Sequence, residues 1–250
     1  MSAMPATHGH SAACCNIPPV VEKGYKEKGS YEQLGGFNTY STGSADATKG
    51  VLVIFDIFGF FPQTLQGADI LGQEYRVLMP DWFEGHPADI SVFPPDTPEK
   101  KATLTAFLAK NSPAVVGPKV KAYAAAARAQ YPAVTDWAIV GFCWGGKVAG
   151  SVTNTADTPF KVAAEVHPAM VDAADATDIK VPLIMLASKD EDAEEVKKFE
   201  ANLTAPKYVE IYKDQIHGWM AARSNLSDPR NKEEYARGYK KLLEFFGEYL

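Results

Sequence analysis

The sequence predicts a single α/β domain built around a mostly parallel β-sheet. Short apolar runs, rich in β-branched residues, alternate with longer helical segments along the chain. The clearest run, 51–55, is apolar at every position, which is typical of a strand that helices cover on both faces. No internal repeat or long linker divides the 250 residues. We therefore expect residues 20–250 to form the domain, with residues 1–19 as a flexible tail.

The predicted strands follow one another through the whole domain. An edge strand is expected first, followed by a turn-rich segment that ends at Gly50. The later runs are bounded by turn residues and separated by helices. In chain order, the predicted strands are 35–41, 51–55, 76–80, 137–141, 162–166, 182–187 and 208–212.

The predicted helices lie between these strands. An Ala-rich centre favours a helix over 119–130. The last segment places large apolar side chains, among them Tyr235, Tyr239 and Phe246, at helical spacing on one face. The predicted helices are 64–75, 99–110, 119–130, 147–153 and 231–250.

Composition excludes several classes of function. A formal net charge of −6 with no basic stripe argues against a nucleic acid or an anionic membrane as partner. No apolar run approaches the length of a membrane span, and residues 1–20 lack the pattern of a signal peptide. Three cysteines, two of them adjacent, make no disulfide framework. We expect a cytoplasmic protein.

The tail contains residue types that bind metals. His8, His10, Cys14 and Cys15 lie close together in an Ala-, Ser- and Pro-rich segment. Their spacing matches no standard zinc pattern. We therefore expect a flexible tail in preference to a metal site.

The stretch that ends the 137–141 strand indicates chemistry. Gly141-Phe142-Cys143-Trp144-Gly145 has the Gly-x-nucleophile-x-Gly pattern of a nucleophile elbow, with cysteine in place of serine. The strained turn needs small neighbours, which the two glycines supply. The following helix would then direct its positive N-terminal end at the sulfur, which favours a thiolate and a developing oxyanion.

Two other interpretations of this stretch compete with the elbow. A lone cysteine in an apolar run is commonly a small buried hydrophobe. Gly141 to Lys147 also spells G-x-x-x-x-G-K, the phosphate-binding loop of nucleotide-binding proteins. That loop needs Ser or Thr at the next position, where this chain has Val148, and bulky Phe142 and Trp144 would crowd it.

Residues that could assist Cys143 as a nucleophile follow later strands in the chain. Reactive groups gather where parallel strands end. Asp190 follows the strand 182–187, and His217 follows the strand 208–212. The order nucleophile, acid, histidine is the order of an α/β-hydrolase. Asp192 is an alternative acid that lies further from the strand end, and His167, after another strand, is predicted to be a buried or pocket-lining histidine.

These residue types suit one another chemically. A thiol at neutral pH is only slightly ionised and needs a base to remove its proton. His217 would act as that base and later protonate the leaving alcohol. A carboxylate, from Asp190, would fix the imidazole tautomer and stabilise the imidazolium.

The same residues resemble a known family. Three segments together resemble the dienelactone hydrolases, also called carboxymethylenebutenolidases. They are Gly141-Phe142-Cys143-Trp144-Gly145-Gly146, Asp56-Ile57-Phe58-Gly59 and His217-Gly218-Trp219. The resemblance covers roughly residues 35–250 and is closest to the fungal branch. It implies an α/β-hydrolase fold, a Cys143–His217–Asp190 triad, and hydrolysis of a lactone or activated ester through a thioester, without metal or organic cofactor.

The resemblance also assigns supporting roles. Ile57 and Trp144 match the family's oxyanion-hole positions, which act through backbone N–H groups. Asp56 takes the place of a glutamate that holds the resting thiol in bacterial members. Its side chain is one methylene shorter, so whether it reaches Cys143 is open, and the alternative is a solvated carboxylate.

Substrate recognition departs from the bacterial pattern. The two arginines that clamp the substrate carboxylate there correspond to Glu84-Gly85 and Ala221 in this chain. Arg223 is a substitute for the second arginine or a surface residue. Trp82, Phe83 and Trp219 suggest a more apolar pocket, and hence a small ester or lactone other than the dienelactone itself.

Two other functions remain as alternatives. One is a catalytically idle α/β-hydrolase scaffold that binds a ligand or partner, with an unreactive Cys143. The other is a nucleotide-binding protein that uses Gly141 to Lys147. Redox sensing is disfavoured because Cys143 has no resolving cysteine nearby in the sequence. A monomer or a homodimer is expected.

Overall fold

The computed structural model describes residues 24–250. The predicted tail, 1–19, lies outside the described residues, as do its histidines and its two cysteines. Its flexibility therefore stays a prediction.

The described chain forms an eight-stranded sheet in the order β1-β2-β4-β3-β5-β6-β7-β8. The first two strands and β4 pair antiparallel, and all pairs from β4 to β8 are parallel. The strands are β1 (Ser30–Leu34), β2 (Phe37–Thr42), β3 (Lys49–Ile54), β4 (Arg76–Pro80), β5 (Asp136–Phe142), β6 (Val162–Val166), β7 (Leu183–Ser188) and β8 (Lys207–Tyr212).

Helices connect the parallel strands, as parallel pairing requires. They are α1 (Pro62–Leu71), α2 (Pro98–Lys110), α3 (Pro113–Gln130), α4 (Trp144–Thr153), α5 (Ala193–Asn202) and α6 (Pro229–Tyr249). Short 3₁₀ turns cover Ile90–Val92 and Ala173–Thr177. Helix α1 packs against α6, and α3 packs against α4. None of the helices in residues 24–250 is long and apolar enough to cross a bilayer.

The predicted α/β architecture is confirmed, with three differences. The predicted edge strand is β2, because β1 pairs outside it and forms the edge. Helix α5 was not predicted, since its sequence is mostly charged and only Val196 and Phe199 are buried. Helix α3 begins at Pro113 and continues through Pro118, although an interior proline lacks the N–H that a helix uses.

The register of the central strands brings their carboxyl ends to one edge of the sheet. Ile54 at the end of β3 pairs with Gly141 on β5, and Phe142 pairs with Val166 on β6. Further along the sheet, Val166 pairs with Leu186 on β7. The loops that follow these strands therefore meet at the edge where α/β proteins place their ligands.

Candidate active site

Cys143 occupies a strained turn between β5 and α4. Its backbone has φ 56° and ψ −117°, a positive φ that few non-glycine residues adopt. The turn is fixed on both sides: the Cys143 N–H donates to the Val166 carbonyl at 3.0 Å, and the Cys143 carbonyl accepts from Gly146 at 3.0 Å and Ala169 at 2.9 Å. A sharp turn that is held in this way is the geometry of a nucleophile elbow.

The two glycines of the motif are required by close packing. A Cβ on Gly141 would lie 1.9 Å from the Gly145 carbonyl oxygen, and one on Gly145 would lie 2.3 Å from the carbonyl oxygen of Ile54. Neither backbone atom can move without displacing a strand or the helix start. The spacing Gly-x-Cys-x-Gly is therefore a steric condition for seating α4 against β3 and β5.

The lysine of the phosphate-loop alternative is engaged elsewhere. Lys147 Nζ donates to the Met170 carbonyl at 3.0 Å and forms an ion pair with Asp175. Helix α4 begins at Trp144, so the residues that would wrap a phosphate are already helical. This arrangement does not fit a phosphate-binding loop.

His217 interacts with Cys143 inside the protein, and both residues are fully buried. Burial by itself lowers the pKa of His217. The electrostatic effect of Cys143 acts in the opposite direction, as do the hydrogen bond and charge of Glu191, and together they raise this pKa to about 10. The raised pKa favours the imidazolium form of His217, and a neighbouring imidazolium is one of the features that make a cysteine nucleophilic.

The other side of the imidazole contacts Glu191. Glu191 Oε1 lies 2.6 Å from His217 Nδ1, and the glutamate is itself buried. Oε1 also accepts the Ser188 hydroxyl at 3.0 Å, and Oε2 accepts the Ser188 backbone N–H. The glutamate therefore holds the ring so that Nδ1 is occupied and Nε2 is the nitrogen left for Cys143.

This contact corrects the prediction for Asp190. The Asp190 carboxylate accepts the backbone N–H of His217 at 2.8 Å and supports the loop, whereas the ring meets Glu191. The alternative acid, Asp192, caps α5 by accepting the N–H groups of Glu194 and Glu195. The turn after β7 folds back on itself, so the residue nearest the strand end is not the one directed at the ring.

A sequence signal for Glu191 was present. Ser188-Lys189-Asp190-Glu191 has the Ser-x-x-Glu spacing of a capping box, in which the glutamate returns to the backbone N–H of the serine. The Ser188 N–H makes that hydrogen bond to Glu191 here, although no helix follows directly. The Ser-x-x-Glu pattern fixes the direction of the Glu191 carboxylate. The short distance of Asp190 from the end of β7 does not fix the direction of a side chain.

Two backbone N–H groups beside the elbow make no hydrogen bond within the described part of the chain: those of Ile57 and Trp144. Ile57 follows β3 in the loop that adjoins the elbow, and its carbonyl accepts from Ala88 at 2.9 Å. Trp144 is the first residue of α4. Backbone donors placed in this way can receive the oxygen of a bound ligand.

Asp56 lies in the buried interior, not in solvent. Its two oxygens accept the backbone N–H groups of Phe58 at 2.9 Å and Ala222 at 3.1 Å. Burial and then the charge of Cys143 raise the pKa of Asp56 to about 6, against the opposing effect of Arg223. Asp56 therefore interacts electrostatically with Cys143. Its hydrogen bonds to Phe58 and Ala222 fix the loops after β3 and β8.

Arg223 is buried rather than on the surface. Only 1% of the residue is exposed, and its guanidinium lies 5.1 Å from the ring centroid of Phe58. Its positive charge lowers the pKa of both Asp56 and His167. The arginine is therefore part of the same buried electrostatic cluster as the candidate nucleophile.

The predicted aromatic pocket is divided by the structure. Phe83 contacts the ring of Trp144 with centroids 4.9 Å apart, whereas Trp82 packs on Phe37 and Tyr123. Trp219 stacks on Tyr212 with centroids 4.3 Å apart. Trp82 and Phe83 both line a cavity of about 180 Å³ together with Glu84, His86, Phe107, Lys110, Asn111 and Lys119.

Residues 24–250 contain no group of three or more His, Cys, Asp or Glu side chains placed to hold a metal ion.

Comparison with known proteins places this chain in a family. The model of the dienelactone hydrolase family matches residues 37–250. An AIM2 family protein of Schizosaccharomyces pombe is 37% identical over 246 residues, covering 94% of this chain and 98% of its own. A carboxymethylenebutenolidase homolog of Mus musculus is 27% identical, with 94% and 96% of the two chains covered.

Solved structures share the fold at low identity. The crystal structure of a dienelactone hydrolase from Anabaena variabilis superposes with a TM-score of 0.63 and 13% identity, over 90% of this chain and 98% of that one. Together with the family model, which spans most of the chain, these likenesses establish an α/β-hydrolase fold. The chain belongs to the dienelactone hydrolase family.

Proposed function

We propose that this chain hydrolyses small esters or lactones through a thioester on Cys143, with His217 as acid and base and Glu191 as the residue that orients the imidazole. One observation carries the proposal: the strained elbow cysteine interacts with a buried histidine whose Nδ1 lies 2.6 Å from a buried carboxylate. The family and its relatives named carboxymethylenebutenolidase support a lactone or ester as substrate class.

The first half of the reaction forms the thioester. The Cys143 thiolate attacks the carbonyl carbon, and the oxygen that gains the negative charge accepts the N–H groups of Ile57 and Trp144. The carbon–oxygen bond to the leaving group then breaks. The proton on His217 Nε2 transfers to the leaving oxygen, so the alcohol departs neutral.

The second half releases the acid. Water enters, His217 Nε2 removes one of its protons, and the resulting hydroxide attacks the thioester carbon. The carbon–sulfur bond breaks, and the sulfur leaves as the thiolate. The imidazolium and thiolate are thereby restored for the next cycle, with Glu191 holding Nδ1 throughout.

The buried charges nearby act on this pair. An ionised Asp56 would repel a negative charge on the Cys143 sulfur. A protonated Asp56 is neutral and would not repel it. Arg223 would contribute positive charge on the substrate side of the cluster. Phe83, which contacts Trp144, is the aromatic candidate that adjoins the elbow, whereas Trp82 packs on Phe37 and Trp219 stacks on Tyr212.

Complete burial of the nucleophile sets a condition for turnover. Cys143 and His217 have no exposed surface, so a substrate reaches the sulfur only after a neighbouring group has moved aside. The low dielectric of the closed site strengthens the interaction between thiolate and imidazolium. An idle scaffold would share the burial but not the reactivity.

The proposal is tested by labelling and turnover together. The protein is treated with one equivalent of iodoacetamide, mapped by peptide mass spectrometry, and assayed on p-nitrophenyl esters and dienelactones. We expect the label on Cys143, with loss of turnover in proportion to labelling. The Cys143→Ala variant should be inactive and keep the melting temperature of the wild type within a few degrees.

Two results would overturn the proposal. Labelling confined to Cys14 or Cys15 with full activity retained would remove the nucleophile. Absence of turnover on every ester and lactone, with Cys143 unreactive, would favour the idle scaffold. A cytoplasmic location and a monomeric or homodimeric state stay predictions from the sequence.

A further inference from the structure

A second histidine lies beside the catalytic one. His167 follows β6 directly, and its ring centroid is 5.2 Å from that of His217 in an edge-to-face arrangement. The residue is fully buried and has a backbone φ of 37°. Hydrogen bonds from its own N–H to the Leu186 carbonyl at 2.7 Å, and from Ala169 to Cys143 at 2.9 Å, hold the loop against the elbow.

Neither ring nitrogen of His167 has a hydrogen-bond partner within residues 24–250. Buried polar atoms nearly always form hydrogen bonds in folded proteins. A ring with two buried nitrogens that form none therefore lowers the stability of the fold. Such a group beside a nucleophile is satisfied when a ligand brings its own polar atoms. His167 therefore has the features of a ligand contact and not of a structural core histidine.

The surroundings of His167 favour the neutral form of its ring. Burial, and after it the positive charges of His217 and Arg223, hold the pKa of His167 well below its ordinary value. A neutral imidazole has one N–H donor and one acceptor nitrogen. Because neither nitrogen is paired within the described residues, the ring can offer its N–H to a ligand.

The sheet order decides which part of a substrate lies near this N–H. Ile57 follows β3 on one side of β5, whereas His167 and His217 follow β6 and β8 on the other side. In the proposed reaction the carbonyl oxygen of the substrate is directed at the Ile57 side, and the leaving oxygen is directed at His217, which protonates it. His167 therefore lies on the leaving-group side.

We propose that His167 is a specificity-determining residue that donates a hydrogen bond to an oxygen of the leaving group, next to the oxygen that His217 protonates. The inference rests on the proposed function. It selects esters and lactones whose released alcohol or enol has a second acceptor oxygen on a neighbouring atom. Substrates that lack this oxygen leave the buried N–H unpaired and react more slowly.

The test uses two esters that differ in one atom. The enzyme is assayed with 2-methoxyphenyl acetate and 2-ethylphenyl acetate, whose leaving phenols are similar in size and acidity. We expect the wild type to prefer the methoxy ester in kcat/KM by about tenfold, the effect of one hydrogen bond. His167→Phe should abolish the preference, and His167→Gln, which keeps an N–H donor, should restore part of it.

The ratio of the two rates separates specificity from structure. A merely structural role of His167 would lower both rates equally and leave the ratio unchanged, which overturns the inference. A wild-type ratio near one also overturns it. The melting temperature of each variant is measured. A loss of folded protein would lower the rates on both esters by the same factor, so the ratio of the two rates does not depend on the stability of the variant.

Failure of the proposed function gives a different pattern. If the wild type hydrolyses neither ester, or Cys143→Ser hydrolyses both at the wild-type rate, the cysteine mechanism has failed. The inference is then decided by calorimetric titration with 2-methoxyphenol and 2-ethylphenol. Tighter binding of 2-methoxyphenol that is lost in His167→Phe supports it, and equal binding of the two phenols overturns it.

Discussion

Glu191 Oε1 lies 2.6 Å from His217 Nδ1, with both side chains buried. Ser188 fixes the same carboxylate through its hydroxyl and its backbone N–H. A carboxylate that is held at three points cannot rotate away from the ring, so it sets the tautomer of His217 and stabilises the imidazolium. In the proposed mechanism the orienting role therefore belongs to Glu191, while Asp190 accepts the backbone N–H of His217.

The first prediction concerns these two neighbouring acids. Glu191→Gln is expected to lower kcat by about 10²–10⁴-fold, because a neutral amide neither stabilises the imidazolium nor enforces its tautomer. The rate is measured on p-nitrophenyl acetate under saturating substrate. Asp190→Asn is the matched control and should lose less than about tenfold, since the amide oxygen still accepts the His217 N–H. A larger loss for Asp190→Asn would return the orienting role to Asp190.

The second prediction concerns the alkaline limb of the pH profile. Catalysis needs the proton on His217, and the pKa of His217 is raised to about 10 by Cys143 and Glu191 against the effect of burial. The kcat/KM of the wild type should therefore persist well above pH 6.5 and decline only as the pH approaches that raised value.

Removing the glutamate charge gives the matched comparison. In Glu191→Gln the imidazolium loses a stabilising negative charge, so the pKa of His217 falls and the alkaline limb should move to lower pH. The limb is fitted from kcat/KM measured at intervals across the alkaline range. An alkaline limb at the same pH in both proteins would contradict the electrostatic role of Glu191.

The third prediction concerns Glu165, a buried carboxyl on β6. Burial raises its pKa to about 8, with Lys147 opposing and Asp175 adding to the shift. The folded chain therefore holds a proton that the unfolded chain releases above about pH 4.5. The resulting stabilisation is complete below pH 4.5 and is lost as the pH rises through about 8.

Glu165→Gln should remove this dependence. Its side chain keeps a similar shape beside Gly150 and carries no proton to lose. We expect the melting temperature of the wild type to fall by several degrees relative to the variant between pH 5 and pH 9, at roughly 1.4 kcal/mol for each unit of pKa difference as an upper limit. Parallel pH profiles of stability in the two proteins would contradict the prediction.

The fourth prediction concerns the elbow glycines. Gly141→Ala and Gly145→Ala each place a Cβ within 2.3 Å of a backbone carbonyl oxygen. We expect each to lower the free energy of unfolding by about 3 kcal/mol or more, in the range of overpacked and strained sites. Urea unfolding measures the loss, and turnover should fall with it because the sulfur is displaced.

A glycine with open space provides the control. Gly247 lies in α6, and a Cβ there meets nothing within 4 Å. Gly247→Ala is expected to stabilise the protein by about 0.5–1 kcal/mol, since alanine favours the helix. A similar loss of unfolding free energy in Gly141→Ala, Gly145→Ala and Gly247→Ala would contradict the prediction, because only the first two substitutions create a steric clash.

The sequence by itself determined the strands β2 to β8 and the elbow between β5 and α4. Buried parallel strands need unbroken apolar runs, and such runs are visible without coordinates. The steric condition at Gly141 is equally local, because its Cβ would meet the Gly145 carbonyl oxygen within the same turn, whereas the Ile54 carbonyl oxygen that limits Gly145 belongs to β3. Cys143 and His217 could be selected for this reason, as residues that follow strands of a predictable sheet.

Only the tertiary structure decided which acid meets the imidazole and which aromatic rings adjoin the elbow. Glu191 reaches His217 because Ser188 folds the turn after β7 back on itself, a direction that proximity in sequence does not encode. Arg223 is buried against Phe58, and His167 lies edge-on to His217, because loops after different strands converge. Side-chain direction at the end of a strand depends on contacts with distant segments, so it is a property of the folded chain.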